Sequence, residues 1–196
     1  DGHGGSVLEF SHTSMKKWEA QVQSVVNELA RTHDRIFVAA HSMGTLLMIE
    51  QALKCEKITK LFLLAVPTRI APKPQLFRNT IKIYFDNIKP DDQLALAAKS
   101  SYSIDQDRNL FHYIGWIPRY LELFAKARRT RKLAKLLKTP CQLYQSEKDD
   151  MVSVKGADYF IDNPNVTITK LPNSGHYFYD EKEFEFLLKS FEKFTK

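Results

Sequence analysis

Four short segments of the chain have the composition of β-strands. Residues 35–40 form a nearly continuous apolar run, which is typical of a central parallel strand covered on both faces. The other three segments are residues 58–66, 142–145 and 166–171, and a proline lies close to an end of each. The sequence therefore predicts at least four strands.

Three segments repeat apolar side chains at helical spacing. Residues 15–31 predict an amphipathic helix, residues 45–53 a buried helix, and residues 181–194 a terminal helix that covers the sheet. The first helix carries Trp18, Val22, Val25, Val26 and Leu29 as its apolar positions, and the last carries Phe184, Leu187, Leu188, Phe191 and Phe194. Strands that alternate with helices predict an α/β fold, with a mostly parallel sheet and helices on both faces.

Residues 67–139 interrupt this alternation with helical periodicity and no strand pattern, over a length far beyond an ordinary connection. We interpret the segment as an inserted helical cap, so that residues 1–66 and 140–196 form the core. The aromatic side chains of the cap either line an apolar acyl pocket or pack the cap onto the core. They are Phe77, Tyr84, Phe85, Phe111, Tyr113, Trp116, Tyr120 and Phe124.

Composition narrows the classes of function. The 196 residues are 43% hydrophobic, enough for one domain with an insertion, and 29 Lys and Arg against 23 Asp and Glu give a charge of +6. No zinc-ligand spacing, phosphate-binding loop, nucleic-acid motif or membrane-span run occurs. We expect no metal, no cofactor and no nucleic-acid partner. Cys55 and Cys141 fit no disulfide framework, which favours a reducing, cytoplasmic location.

The segment 126–138 is the most basic part of the chain and mixes cations with leucines. It is either a solvated helix face or a surface that makes weak contact with an anionic membrane. Oligomeric state is not indicated by any pattern.

A candidate nucleophile lies between the first strand and the buried helix. Residues 40–44 read Ala-His-Ser-Met-Gly, and a sharp strand-to-helix turn at Ser42 is expected to need the small residues Ala40 and Gly44 beside it. The helix that follows directs its free amides and its dipole at Ser42 Oγ. We predict Ser42 as the nucleophile and the backbone N–H of Met43 as an oxyanion donor.

The partners of Ser42 are expected on later loops at the carboxyl ends of the strands. His176 follows the last strand and suits a general base. The loop after the preceding strand offers Glu147, Asp149 and Asp150 to orient the imidazole, and Asp149 fits the pattern best. The neighbouring His41 is expected to face away from Ser42 and to pack beneath the site, because adjacent strand side chains point to opposite sides.

Four segments in order, residues 2–6, 40–44, 146–152 and 174–176, resemble the motifs of the α/β-hydrolase superfamily, nearest the lipase, esterase and monoacylglycerol lipase group. The departures from that pattern are Ala40 and Ser146 in place of glycines and Thr45 where a second glycine is common. The resemblance also implies that the first strands and the second oxyanion amide lie upstream of this sequence.

The same resemblance implies an activity. It is hydrolysis of a small-molecule carboxylic ester with an apolar acyl group, through a Ser-His-Asp triad and an acyl-enzyme, without a cofactor. An acyltransferase or a thioesterase would use the same triad, and a non-catalytic binding protein could keep the same fold.

Overall fold

A computed structural model describes residues 2–101, 104–105 and 107–196. Its strands are β1 (Gly5–Ser6), β2 (Ile36–His41), β3 (Ile58–Leu64), β4 (Ile104–Asp105), β5 (Cys141–Ser146) and β6 (Val166–Leu171). Four of them form one parallel sheet in the order β2-β3-β5-β6. The four predicted strands thus exist, with ends that differ from the predicted ones by at most two residues.

The helices are α1 (Val7–Ser11), α2 (Met15–Thr32), α3 (Met43–Ala52), α4 (Pro74–Tyr84), α5 (Gln93–Ser101), α6 (Trp116–Leu133) and α7 (Glu181–Thr195). Short 3-10 helices span Leu110–Gly115, Ala134–Leu136 and Val154–Phe160. Side chains cap two of the predicted helices: Ser14 accepts from the backbone N–H of Lys17 at the start of α2, and Asp180 accepts from the first turn of α7. The three predicted helices are therefore confirmed.

Two hydrophobic cores lie on opposite faces of the sheet. Leu61 and Leu63 of β3 pack into the larger core, together with apolar residues of α2, α3 and α6, whereas Phe62 between them packs into the smaller core beneath α7. This alternation follows from the two-residue period of a strand. Each fully buried leucine contributes about 1.5–3 kcal/mol relative to an exposed one, so both helical layers are held on the sheet.

The apolar side chains predicted to face the sheet from the first and last helices are only partly buried. Trp18 and Val26 of α2 are buried, but Val25 and Leu29 are exposed, and on α7 Phe184 and Leu188 are exposed while Leu187 is buried. The predicted apolar faces of these two helices therefore include residues that are not buried. Helical spacing identifies the face of a helix that turns towards the sheet. How much of that face is buried depends on where the neighbouring helices and loops lie.

The segment 67–139 contains α4, α5, a 3-10 helix and α6, and it also contains β4. The short strand here, Ile104–Asp105, pairs in parallel with Gly5–Ser6 and is not indicated by any strand pattern in the sequence. A two-residue strand is too short to give a periodic pattern. The division into a core and a cap remains a prediction.

Several residues of the basic segment 126–138 are buried or hydrogen-bonded within the fold. Lys126 is buried between carboxylates, Arg131 donates to the Thr68 carbonyl oxygen at 2.6 Å, and Leu137 is buried. Arg128, Arg129, Lys132, Lys135 and Lys138 are exposed, and two of them, Arg129 and Lys135, lie beside carboxylates. Contact of these cations with an anionic membrane remains a prediction. Across the described ranges, no helix has the length and apolar character needed to cross a membrane.

Candidate active site

Ser42 occupies a sharp turn between a strand and a helix. It is the only residue between the end of β2 and the start of α3, and its backbone has φ 49° and ψ −126°. Such a conformation costs a non-glycine residue about 1–3 kcal/mol. It is held by the Ser42 N–H, which donates to Leu64 O at 2.9 Å, and by Thr45, whose N–H and hydroxyl donate to Ser42 O at 2.9 and 2.6 Å.

The steric requirement predicted around this turn is not seen at Gly44. Apart from its chain neighbours and the adjacent backbone of α3, a Cβ placed there would meet no described heavy atom within 4 Å. Ala40 is partly buried against the larger core, which limits the size of its side chain. The expectation that both flanking residues must be small stays a prediction for Gly44.

The three predicted side chains are hydrogen-bonded in series. His176 Nε2 lies 3.1 Å from Ser42 Oγ, and His176 Nδ1 lies 2.7 Å from Asp149 Oδ2. Because an ionised carboxylate can only accept, Nδ1 carries the proton, and Nε2 is then free to accept from the serine hydroxyl. Ser42 is partly exposed, whereas His176 and Asp149 are buried. A substrate can reach the hydroxyl, while the groups behind it are shielded from water.

The loop after β5 decides which carboxylate faces the imidazole. Asp149 is fully buried, and its Oδ1 accepts the backbone N–H groups of Met151 at 2.8 Å and Val152 at 2.7 Å. These bonds leave Oδ2 for His176. Glu147 is exposed, and neither it nor Asp150 makes a side-chain hydrogen bond to the imidazole within the described residues. Of the three candidates, the geometry selects Asp149.

The loop that carries His176 is anchored by residues that the sequence interpretation did not single out. Glu183 on α7 accepts hydrogen bonds from the Ser174 hydroxyl and from the Asn173 backbone N–H. The Ser174 carbonyl oxygen in turn accepts from the Lys148 backbone N–H at 3.2 Å, which links this loop to the one that carries Asp149. The acidic first turn of α7 was the one signal available in the sequence for such an anchor.

His41 lies against the His176 loop. Its Nε2 lies 3.0 Å from the His176 carbonyl oxygen, to which it donates, and the two rings are 4.9 Å apart. Burial, and then the charge of His176, lower the pKa of His41 to about 4. His41 is therefore neutral at pH 7. The expectation that His41 faces away from Ser42 and packs beneath the site stays a prediction, and its bond to the His176 loop is an addition to it.

Met43 is the first residue of α3, so its backbone N–H has no acceptor within the helix. The Met43 side chain packs with Met15, Trp18 and Leu47 in a third apolar cluster. This packing fixes the start of α3 beside Ser42. The role of this N–H as an oxyanion donor stays a prediction.

A cleft lies between the His176 loop and the helices α4 and α5. Its cavity volume is about 40 Å³, well below that of a typical small-molecule site, so it has room for a small group rather than for a whole ligand. It is lined by Gln75, Leu76, Asn79, Thr80, Ile83, Leu94, Ala98, Lys148, Asp150, Met151, Gly175, His176, Tyr177 and Phe178. Five of the eight aromatic side chains named for the segment 67–139 are exposed, namely Phe77, Phe85, Phe111, Tyr120 and Phe124. None of the eight lines this cleft.

Other reactive groups do not gather into a second centre of this kind. Among the residues that the structure describes, no three His, Cys, Asp or Glu side chains are placed to hold a metal ion. Cys55 and Cys141 are free thiols, and burial raises the pKa of Cys141 to about 12. A thiol with that pKa stays protonated and unreactive near neutral pH.

The sequence and the fold were compared with known proteins. The model of the family described as serine aminopeptidase, S33, matches residues 1–183 of this chain. The chain belongs to the serine aminopeptidase S33 family. Comparison with curated protein sequences gives no match.

Solved structures with the same fold as this S33 family member include three lipolytic proteins. One, from a study of the metagenome-derived lipolytic enzymes LipS and LipT, is 19% identical with a TM-score of 0.69, over 99% of this chain and 78% of that one. The monoacylglycerol lipase of Paleococcus ferrophilus is 18% identical with a TM-score of 0.65, over 93% and 76%.

A soluble variant of the Saccharomyces cerevisiae monoglyceride lipase is 15% identical with a TM-score of 0.64, over 98% and 74%. At these identities the likeness concerns the fold. The predicted α/β-hydrolase fold and superfamily are confirmed.

Proposed function

We propose that this S33 family member is a serine hydrolase that cleaves carboxylic esters with an apolar acyl group. The observation that carries the proposal is the hydrogen-bonded series from Ser42 Oγ through His176 to Asp149, at 3.1 and 2.7 Å. Each of the three groups stands at the carboxyl end of a parallel strand, where ligands of open α/β sheets bind.

The reaction follows from this geometry. Ser42 Oγ attacks the ester carbonyl carbon while His176 Nε2 takes the hydroxyl proton, and Asp149 stabilises the resulting imidazolium. The negative charge on the carbonyl oxygen is stabilised by the Met43 N–H and the positive end of the α3 dipole. His176 then gives its proton to the leaving alcohol, and a water molecule activated by the same nitrogen hydrolyses the acyl-enzyme.

An apolar substrate suits the surroundings of the site. Leu76, Ile83, Leu94, Met151 and Phe178 line the cleft beside His176 and offer contact to alkyl groups, next to the charged Lys148 and Asp150. The lipases and the lipolytic enzyme that share this fold are consistent with such a substrate. The acyl length is left to experiment.

The test compares wild type with Ser42→Ala and with Ser24→Ala, a matched control on the exposed face of α2. Hydrolysis of p-nitrophenyl butyrate and octanoate is measured, together with labelling by a fluorophosphonate probe and location of the label by mass spectrometry. We expect Ser42→Ala to lose at least about 10³-fold in rate and to lose the label, while Ser24→Ala keeps both. Equal rates for wild type and Ser42→Ala would refute the proposal.

A second candidate function is amide hydrolysis at an amino terminus, because the family description is serine aminopeptidase. The same three residues would carry it, with an amine as leaving group. Turnover of aminoacyl p-nitroanilides faster than of p-nitrophenyl esters would favour this candidate. Transfer of the acyl group to an added alcohol, or faster cleavage of thioesters, would indicate the acyltransferase or thioesterase alternative. Absence of any label at Ser42 would favour a non-catalytic binding protein.

A further inference from the structure

A polar pocket lies between the helices α2, α3 and α6, away from the proposed active site. Its cavity volume is about 250 Å³, against about 40 Å³ for the cleft beside His176. Seven of the nine described residues that line it are charged or carry an amide, and the other two are Ala20 and Leu47. Glu50 in its wall lies eight residues beyond Ser42 along α3, a rise of about 12 Å. The pocket is therefore separate from the groups proposed to react.

Two buried oxygen atoms in the wall of this pocket lack a hydrogen-bond partner. They belong to Glu50 and Gln51, which are 5% and 4% exposed. Glu50 Oε2 pairs with Lys126 Nζ at 2.9 Å. In the part of the chain that the structure describes, neither Glu50 Oε1 nor Gln51 Oε1 receives a hydrogen bond, although Arg129 Nε lies 3.2 Å from Glu50 Oε1.

Buried acceptors in folded proteins are almost always bonded, so these two oxygen atoms indicate donors that come from outside the chain. A single water molecule needs only about 10–15 Å³ of such volume. The pocket of about 250 Å³ therefore has room for a larger donor, a small molecule.

The charges around the pocket favour a ligand that is negative rather than positive. Glu19 and Glu50 already pair with Lys126, at 2.5 and 2.9 Å. Lys16 and Lys54 also line the pocket, are exposed, and form no ion pair among the described residues. A cationic ligand would be repelled by these ammonium groups, so the donors that the two oxygen atoms need are neutral groups. Hydroxyl groups are neutral donors.

We propose that this pocket binds a small anionic polyol. Its hydroxyl groups donate to Glu50 Oε1 and Gln51 Oε1, and two hydroxyl groups on neighbouring carbon atoms supply both donors in a small volume. Its anionic group is attracted by Lys16 and Lys54, since both lysines border the pocket. A phosphate and a carboxylate have this chemistry in common. The proposal does not rest on the proposed hydrolase function.

The test is isothermal titration calorimetry on the full chain. The probes are glycerol 3-phosphate and glycerate, which combine hydroxyl groups with a phosphate or a carboxylate. Methyl phosphate and acetate carry the charge without the hydroxyl groups, and glycerol carries the hydroxyl groups without the charge. The variants are Gln51→Met, Lys16→Ala and Lys54→Ala, and Lys138→Ala, an exposed lysine outside the pocket, is the matched control.

We expect wild type and Lys138→Ala to bind the better of the two probes about tenfold more tightly than the matching simple anion, as for a hydrogen bond to a charged acceptor. Gln51→Met removes one acceptor and should lower this ratio about threefold, since Glu50 Oε1 remains. Lys16→Ala and Lys54→Ala should weaken the polyol and the simple anion alike, by about threefold each, and leave the ratio unchanged. The better probe identifies the anionic group.

An absence of binding by both probes at millimolar concentration, or equal affinity for polyol and simple anion in wild type, would overturn the proposal. An unchanged ratio in Gln51→Met, or full affinity in both lysine variants, would also overturn it. Binding of uncharged glycerol as tightly as either probe would show that the lysines contribute nothing and would count against it too. Failure of the proposed hydrolase function looks different, because it leaves all of these titrations unaffected.

Discussion

A buried ion-pair cluster joins α6 to the helices on the same face of the sheet, and its loss should be measurable as a loss of stability. Lys126 Nζ lies 2.5 Å from Glu19 Oε1 on α2 and 2.9 Å from Glu50 Oε2 on α3. The side chains of Lys126 and Glu50 are 3% and 5% exposed. Arg129 Nε lies 3.2 Å from the other oxygen of Glu50, but this side chain is 62% exposed and its contact lacks hydrogen-bond geometry.

The perturbation is Lys126→Met, which keeps most of the side-chain volume and removes the charge. Glu50 then stays buried with only Arg129 nearby, and removing one partner of a buried pair costs about 3–5 kcal/mol. Glu19 is more than a third exposed, so its contact with Lys126 is screened and contributes little. Since Arg129 compensates part of the charge of Glu50, we expect a loss near the lower limit, about 3 kcal/mol.

The assay is urea unfolding followed by circular dichroism. With a slope of about 3 kcal/mol per molar urea, the midpoint of Lys126→Met should fall by about 1 M. The double variant Lys126→Met/Glu50→Leu should recover much of the loss, because no buried charge is left unpaired. Lys135→Met is the control, since Lys135 and Asp162 form an exposed pair at 3.4 Å. A midpoint for Lys126→Met within about 0.3 M of wild type would refute the reasoning.

Two further predictions concern pH and the triad. The lowered pKa of His41, about 4 against about 6.5 when unfolded, means that the folded state binds fewer protons between these values. The free energy of unfolding should therefore fall by up to about 3 kcal/mol as the pH drops from 6.5 to 4. Measured by urea unfolding, this fall should be shallower in His41→Gln than in wild type. An equal dependence on pH in the two proteins would contradict this cause. Asp149→Asn should lower kcat/KM for p-nitrophenyl butyrate by about 10⁴-fold, since it favours the wrong tautomer of His176, whereas Asp158→Asn on the surface should not.

The sequence allowed the fold and the order of the chemical groups to be predicted because both depend on local patterns. Each strand of the main sheet is a short run of β-forming residues, and Ser42, Asp149 and His176 each follow such a run. The carboxyl ends of parallel strands share one edge of a sheet, so the convergence of the three residues followed from their positions along the chain. The local sequence pattern was therefore sufficient to predict that these three residues lie close together.

The sequence could not decide which neighbouring side chain in a turn faces inwards. Asp149 and Asp150 are adjacent and chemically identical, and the two backbone N–H groups bonded to Asp149 Oδ1 decide which of them reaches His176. The other aspartate turns to the cleft. Such directions depend on the backbone path of the whole loop, which no short pattern encodes.

The sequence by itself determined the α/β class, the positions of the strands and the identity of the three groups proposed to react, since these depend on the spacing of residues a few positions apart. Only the tertiary structure decided the bond from His41 to the His176 loop, the pairing of β1 with β4, and the burial of Lys126. Each of these joins residues about 75 or more positions apart in the chain. Their contacts arise from the way the helices pack on the sheet, and packing is a property of the whole fold.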